Sequence, residues 1–396
     1  MKFRFLTSGE SHGCCLNAII EGVPANIEFN ENFINNELSR RRRGYGRGER
    51  MQIESDEIIV KSGVRLGYTT GAPICLEIQN RDYEKWTIPM SAKKQDLSDE
   101  EIAIKIKEKE ITKVRPGHAD FAGAVKYDQK DVRNILERSS ARETAARVAV
   151  GAVAKMILQQ FGIQIFSHVM QIGKVQSASY NREIGVNEFI SKVNDSPVFC
   201  FNREAEELMK REIDEAKNYG TTLGGKVEVI CSNLPVGLGS FVHWDRKLDG
   251  KLAQAVMSIN AVKSVEIGDA AKAAECFGSD FQDEIFFENG KFARKTNNAG
   301  GIEGGMTNGE DVVVRAVMKP IPTMKEPLNS VDLSSKQPYP AHFERSDVCA
   351  VPACAVVAEA MCAIVILDEM LQKFGGDSIQ ECKSNFENYK RYTEKI

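Results

Sequence analysis

The sequence predicts an α+β fold, and three observations carry that expectation. Strand-like and helix-like runs interleave irregularly, without the steady alternation of a doubly wound sheet. Two long stretches of small and apolar residues, Ser139–Phe161 and Ala353–Phe374, are each stopped by glycine. There is no short-period tandem repeat. The 396 residues are read as one domain spanning 1–396, with a polar surface segment at about 81–113 and a polar tail after about 376.

In chain order, residues 1–7 and 56–61 read as short strands, and Gly71–Ile78 (GAPICLEI) as another, each set between glycine or polar breaks. Phe33–Arg43 carries a helical pattern that ends at Gly44, a natural C-cap position. Arg81–Lys113 is the most polar stretch, expected to be a solvated helix or a mobile flap with a charged face. Ser139–Phe161 is the clearest helix, because Ala141, Ala145, Val148, Ala149 and Ala152 permit close packing. A further helix is expected at Glu204–Tyr219 and a strand at Lys226–Ser232. Leu248–Ser258 is helical in pattern, and Asn260–Gly268 leads into the strand-like VEIG. Asp311–Lys319 reads as a strand stopped by Pro320, and Ala353–Phe374 as a long helix closed by Gly375-Gly376.

Charged residues make up 27% and hydrophobic ones 42%, the balance of an ordinary globular protein. The net charge of −4 gives the average surface nothing to offer a polyanion, so any basic cluster is local and informative. Ten cysteines occur without a CxxC pair, and the start lacks a long apolar run. Reduced thiols in a cytoplasm are therefore expected. The apolar run Val351–Leu367 is short for a membrane span and carries Glu359 at its middle, which reads as a buried helix.

Two familiar motifs fail on context. Gly9-Glu10-Ser11-His12-Gly13 matches a GxSxG nucleophile elbow, but only eight residues precede it, too few for the sheet such an elbow crowns. Gly220–Lys226 (GTTLGGK) approaches a phosphate loop, yet Val227 stands at the Ser/Thr position and the loop runs from helix to strand. The five histidines, at 12, 118, 168, 243 and 342, show no metal-binding spacing, and no metal is expected.

Chemistry is expected elsewhere. Arg40, Arg41, Arg42, Arg43, Arg47 and Arg50 place six guanidinium groups within eleven positions, around the glycine-rich loop 44–48. In a chain of this charge a small, highly anionic ligand suits them better than nucleic acid. Arg115-Pro116-Gly117-His118-Ala119-Asp120 presents a histidine on a Pro-Gly turn. In Glu137–Arg142 (ERSSAR), Arg138 and Arg142 are expected one helical turn apart on one face, with Ser139 and Ser140 near the helix start, an arrangement that suits an anion. Asn297–Gly309 holds five glycines, and its doubled GG-x-x-GG suggests main chain held against a flat ligand. Lys319–Thr323 (KPIPT) is stiffened by two prolines, and Asp347 precedes the C-terminal helix as a candidate N-cap.

Taken together these segments resemble the chorismate synthase family from the first strand to the C-terminal helix. The resemblance is carried by GESHG at 9–13, RRRRGYGRGERM at 40–51, RPGHAD at 115–120 and ERSSARETAARVAVGAVAK at 137–155. It continues through SINAVKSVEIG at 258–268, GGIEGGMTNG at 300–309, KPIPT at 319–323 and ERSDVCAVPA at 344–353. Three departures touch packing rather than charge. Cys14-Cys15 stands where the family often has Gly-Arg, Asp269-Ala270-Ala271 replaces a glycine-rich turn, and Thr307 occupies a common serine position.

The resemblance implies a layered fold with central helices between antiparallel sheets, assembled as a homotetramer. It implies a lyase, acting in the shikimate pathway of aromatic amino-acid biosynthesis. That enzyme makes chorismate by trans-1,4-elimination of phosphate from 5-enolpyruvylshikimate 3-phosphate, requiring reduced FMN without net redox change. The substrate's phosphate and two carboxylates bring roughly four negative charges, which accounts for arginines gathered in an acidic protein. By the same resemblance Arg41, Arg47, Arg115, Arg142 and Arg345 hold substrate, and Arg41 and Arg47 are also candidates for a nicotinamide nucleotide. His12 protonates the departing phosphate, His118 protonates or polarises the reduced flavin, and Asp347 assists proton removal by way of the flavin, with Ser11 and Ser139 orienting these groups. FMN rests on Arg138, Ser139, Ser140, Asn260, Ala261, Gly304, Lys319, Pro320, Ile321, Pro322, Thr323 and Arg345. The chain leaves no room for a reductase domain, so an external flavin reductase is the expected partner, with NADPH as an indirect reductant. Neither nucleic acid nor membrane is expected to bind.

Overall fold

The computed structural model describes residues 2–48, 55–288, 290–344 and 346–396. Two antiparallel sheets form its flanks. In the first, β1 (Arg4–Ser8), β2 (Cys15–Glu21), β3 (Ile58–Ser62) and β4 (Ile74–Gln79) lie in the order β1-β2-β4-β3. In the second, β5 (Gln164–Ile172), β6 (Gly225–Ser232), β7 (Val262–Ile267) and β8 (Val312–Met318) lie in the order β7-β8-β6-β5, with the short strand Val175–Gln176 at the outer edge.

The helices that matter for the site are α1 (Glu31–Arg42), α2 (Asp120–Tyr127), α3 (Arg133–Ser139), α4 (Thr144–Gln159), α5 (Arg203–Asn218), α6 (Leu248–Met257), α7 (Val351–Phe374) and α8 (Ile379–Thr393). α4 packs on β2 and on α7, while α7 packs on β5 and β6, so a helical layer lies between the two sheets. Both helices are apolar almost all round, the pattern of a buried helix. Their axes approach closely because Gly151 has no side chain. A Cβ there would sit 2.3 Å from the Cβ of Ala360. α7 has the length and composition of a membrane span, but 89% of its most apolar window is buried inside the fold, where it is the core helix.

On β2, Leu16, Ala18 and Ile20 turn inward to this helical layer. Leu6, Ile19 and Ile59 leave apolar side chains on the outer face of the same sheet.

Several elements differ from the sequence expectation. Ser139–Phe161 is not one helix. Ser140 is extended (φ −63, ψ 141), and its hydroxyl accepts from the Arg142 N–H at 3.3 Å, capping a fresh turn that leads into α4. Arg138 and Arg142 therefore sit on separate elements and share no face.

β5 carries no alternating pattern because both its faces are covered, and it reads from sequence as neither strand nor helix. In the polar stretch 81–113 the helix Glu100–Lys107 has no buried residue, yet Trp86 nearby is buried. The tail after 376 forms α8, which docks Ile379, Cys382 and Phe386. Phe386 meets Phe161 and Phe374 edge-on at 5.4 and 5.2 Å.

Candidate active site

One cleft of about 550 Å³ gathers most of the residues singled out from the sequence. That size lies in the range of small-molecule sites. The β1–β2 loop contributes Ser11 and His12, the loop after α1 contributes Arg47, and the turn before α2 contributes Arg115 and His118. The α3–α4 junction supplies Ser139, Ser140 and Arg142. The α6–β7 turn supplies Asn260 and Ala261, and the segment after β8 supplies Lys319, Ile321, Pro322 and Thr323.

The arginine run of α1 is divided by the rotation of about 100° per helical residue. Arg40 turns to the core and Arg43 to the backbone of Asn194, while Arg41 faces the cleft. Beyond the helix, Gly46 (φ 85) lets the loop fold against α5. A Cβ there would lie 2.8 Å from Ile213. The turn brings Arg47 Nη1 to Asp347 Oδ2 at 2.8 Å, and Asp347 Oδ1 accepts the Gly48 N–H at 2.6 Å. Asp347 is thus a partner of the arginine loop and not the N-cap of α7, a place taken by Ala350. Arg50 and Arg345 lie outside the described residues.

Behind the wall, Asp56 accepts from both Arg41 Nη2, at 3.0 Å, and Arg142 Nη1. Burial would raise the Asp56 carboxyl, but the two guanidinium groups hold it below the usual range. The effect on Arg41 is the reverse. Burial, set against Asp56 and reinforced by the like charges of Arg142 and Arg47, pulls its guanidinium down to about 10. Arg41 Nε has no partner among the described residues. Asp56 (φ 49) and Ala261 (φ 66) both adopt left-handed backbone, a strain that concentrates at working sites.

Two imidazoles are anchored alike. His12 Nδ1 lies 2.9 Å from Glu137 Oε1, and His118 Nδ1 bonds Asp120 Oδ1. Burial raises both carboxyls. Bonds from His12 and Arg133 outweigh it at Glu137, and bonds from His118 and Arg115 hold Asp120 far below the carboxylate range. An ionised carboxylate only accepts, so it fixes the proton on Nδ1 and leaves Nε2 for a ligand. Arg115 is clamped by Asp120 and gives Nη1 to Thr323 Oγ1 at 3.1 Å. Lys319 Nζ reaches the Gly117 carbonyl, tying KPIPT to the His118 turn. Ser11 is buried, and its hydroxyl accepts from Ser140 at 3.2 Å, an arrangement unlike a serine nucleophile activated by histidine.

Three expected residues lie away from the cleft. Arg138 spends its guanidinium on the carbonyls of Gly9 and Thr7, fastening the end of β1. Pro320 does not line the cavity, although its neighbours do. Gly304 sits in the turn between Ile302–Glu303 and Met306–Thr307, near Phe241. The glycines beside it serve backbone packing. A Cβ on Gly300 would meet Gly268, and one on Gly301 would meet the Asp311 carbonyl. No flat ligand is needed to explain them within this chain.

Asp56, the pairing of Glu137 with His12, and Trp86, whose ring lies 4.1 Å from that of His12, carry no such expectation from the sequence. Only the Asp120 pairing had a local signal, two residues beyond its histidine.

A sequence model of the chorismate synthase family matches residues 3–371. The chain belongs to the chorismate synthase family. A chorismate synthase of Brevibacillus brevis is 54% identical over 394 residues, covering 99% of this chain and all of that one. One from Carboxydothermus hydrogenoformans is 52% identical, with 98% of each chain covered. A solved structure, a crystal structure of chorismate synthase, superposes with a TM-score of 0.80 at 42% identity, covering 100% of this chain and 99% of that one. The α+β fold is therefore the family's. The function is chorismate synthase, an enzyme of the shikimate pathway to aromatic amino acids.

Proposed function

We propose that this cleft removes phosphate from 5-enolpyruvylshikimate 3-phosphate by trans-1,4-elimination, as a carbon–oxygen lyase, with reduced FMN bound alongside. The observation that supports it most is two carboxylate-anchored imidazoles in a cleft where arginine and lysine side chains outnumber carboxylates. The lining suits both molecules. Arg41, Arg47, Arg115 and Arg142 match phosphate and carboxylate geometry. Ile259, Val262, Met318, Ile321 and Val357 offer an apolar bed for a flat ring system. Asn260 donates Nδ2 to the Ser139 carbonyl, and its buried Oδ1 has no partner among the described residues, so it can accept from a ring N–H.

When bound, reduced FMN supplies electron density to a reaction without net redox change. The chain's own groups do the rest. The arginines bind and orient the anion, offsetting charge that grows on the leaving phosphate. Protonated on both ring nitrogens, His12 gives that phosphate its Nε2 proton and is left as the Nδ1–H form that Glu137 anchors, and His118 in the same state holds a proton on Nε2 at the flavin side. Asp347, positioned by Arg47 and the Gly48 amide, assists removal of the proton lost from the ring.

The reading includes an external flavin reductase drawing on NADPH, a cytoplasmic setting and a homotetramer. Leu6, Ile19 and Ile59, exposed together on one sheet face, support an assembly. By the family resemblance Gly304 and Arg138 also belong to the flavin site in this reading. The test is anaerobic incubation with 5-enolpyruvylshikimate 3-phosphate and chemically reduced FMN, following phosphate and chorismate. Release of both in equal amounts is expected, and no release overturns the reading.

A further inference from the structure

We propose that Glu137 is a positioning residue that, together with Trp86, holds His12 as its Nδ1–H tautomer in one ring orientation, so that only Nε2 meets the leaving phosphate. The inference rests on the role of His12 given above and adds two residues to it.

Glu137 holds the loop and the ring at once. Its carboxylate lies 2.9 and 3.1 Å from His12 Nδ1 and accepts the His12 backbone N–H at 2.7 Å. Its main-chain carbonyl accepts the Ser11 N–H at 3.0 Å. Four contacts from one residue fix both the path of the loop and the tilt of the imidazole. A neutral carboxyl could donate as well as accept and would leave the tautomer open, whereas an anion leaves one choice. Arg133 keeps Glu137 anionic, one helical turn away, by donating Nη1 to Oε1 at 2.9 Å.

Trp86 supplies the second restraint. Its ring lies 4.1 Å from the imidazole, tilted by 34°, and Arg133 crosses its face at 4.9 Å. Rotation of His12 about its side chain would drive one ring into the other. Among the described residues, the charged and titratable groups near His12 are Glu137 and Arg133 of α3 and Lys109 over Trp86 at 4.7 Å, and its cleft also holds Arg41, Arg47, Arg115, His118, Arg142, Lys263, Lys319, Glu344 and Asp347.

The experiment compares Glu137→Gln, Glu137→Asp and Trp86→Leu in the full chain. One arm measures kcat and KM against pH with 5-enolpyruvylshikimate 3-phosphate and reduced FMN. The other records 15N spectra of histidine-labelled protein without substrate or flavin, with His12 identified by its loss in His12→Ala. Glu137→Gln is expected to lower kcat about 10–100-fold, the scale for partners of active groups, with KM near that of the parent. Its Nδ1–H signal gives way to a tautomer mixture. Glu137→Asp, shorter but charged, keeps the Nδ1–H form and recovers part of kcat, and Trp86→Leu keeps the tautomer while lowering kcat.

A parent-like kcat in Glu137→Gln, or an unchanged tautomer, overturns the proposal. If that variant does not fold, a parent-like kcat in Trp86→Leu or a mixed tautomer in Glu137→Asp overturns it. A parent that releases no phosphate refutes the proposed function instead, and the spectra still decide what Glu137 does.

Discussion

Arg40 and Arg41 are neighbours on α1 and are held by opposite electrostatics. Arg40 enters a buried cluster in the helical layer. It donates to Glu359 at 3.0 and 3.1 Å and to Glu37 at 2.9 Å, and Lys155 of α4 bonds both carboxylates as well. Two cations face two anions, and Ser167 of β5 donates at 2.8 Å to the Glu359 Oε2 that also accepts from Arg40. Burial opposes the charge on Arg40, but Glu359 and Glu37 prevail and raise its guanidinium above the ordinary value. One residue later, Arg41 shares Asp56 with Arg142, and burial together with the like charges of Arg142 and Arg47 pulls its guanidinium down. A balanced cluster holds elements together, and a cation short of negative charge holds a place for an anion.

The largest expected effect falls on the cleft. His12→Ala and His118→Ala should each cut turnover about 10²–10⁴-fold, the usual scale for a general acid. Thermal melting should move little, and near-normal turnover in either variant would remove that residue from the chemistry. On the core side, Arg40→Met leaves Glu359 and Glu37 with Lys155 alone. Breaking a buried pair costs about 3–5 kcal/mol, so denaturant unfolding should shift by that amount while the folded fraction keeps its kcat.

Acid probes the same cluster without mutation. Burial raises Glu359, but Arg40 and Lys155 hold its carboxyl near about 2, against an ordinary 4.5. Glu228, buried beside His168 and Arg315, stands at about 2 as well. A depressed carboxyl stabilises the fold above its unfolded value, so this stability is complete above about 4.5 and drains as pH falls towards 2. Melting temperatures that stay level from pH 6 to 3 would contradict it.

Arg41→Met should separate the two regions most cleanly. It removes a charge already opposed by burial and by Arg142 and Arg47 and leaves Asp56 with Arg142, so stability should fall by less than in Arg40→Met. Losing a charged hydrogen bond to substrate costs about 1.5–3 kcal/mol, or roughly 10–150-fold in kcat/KM. A destabilisation as large as that of Arg40→Met would erase the distinction. The smallest effect is on ligand-linked stability. Inorganic phosphate at about ten times its Kd should stabilise the parent by about 1.4 kcal/mol, and Arg41→Met should lose that response. Equal stabilisation of both proteins would place the anion elsewhere.

Much of the fold was legible where local chemistry is sufficient. α7 was readable from its apolar run and its Gly375-Gly376 stop, and Glu359 within that run marked it as a buried helix and not a membrane span. β5 was not, since a strand covered on both faces loses its alternation. The break at Ser140 was hidden because helix formers stand on either side, Leu136, Glu137 and Arg138 before it and Ala141 and Arg142 after it, and only a side-chain cap interrupts them.

For the site, the sequence by itself determined the inventory. It held an excess of arginine near glycine turns, a histidine after a Pro-Gly turn, and eight segments whose order resembles one family. Only the tertiary structure decided which groups act together. Asp56 serves Arg41 across fifteen residues and Arg142 across eighty-six, Glu137 reaches His12 across one hundred and twenty-five, and Trp86 comes from a stretch that reads as solvated. Charge type is written residue by residue, but charge balance is a sum over neighbours in space. That sum separates Arg40 from Arg41, and it exists only once the helices and sheets have packed.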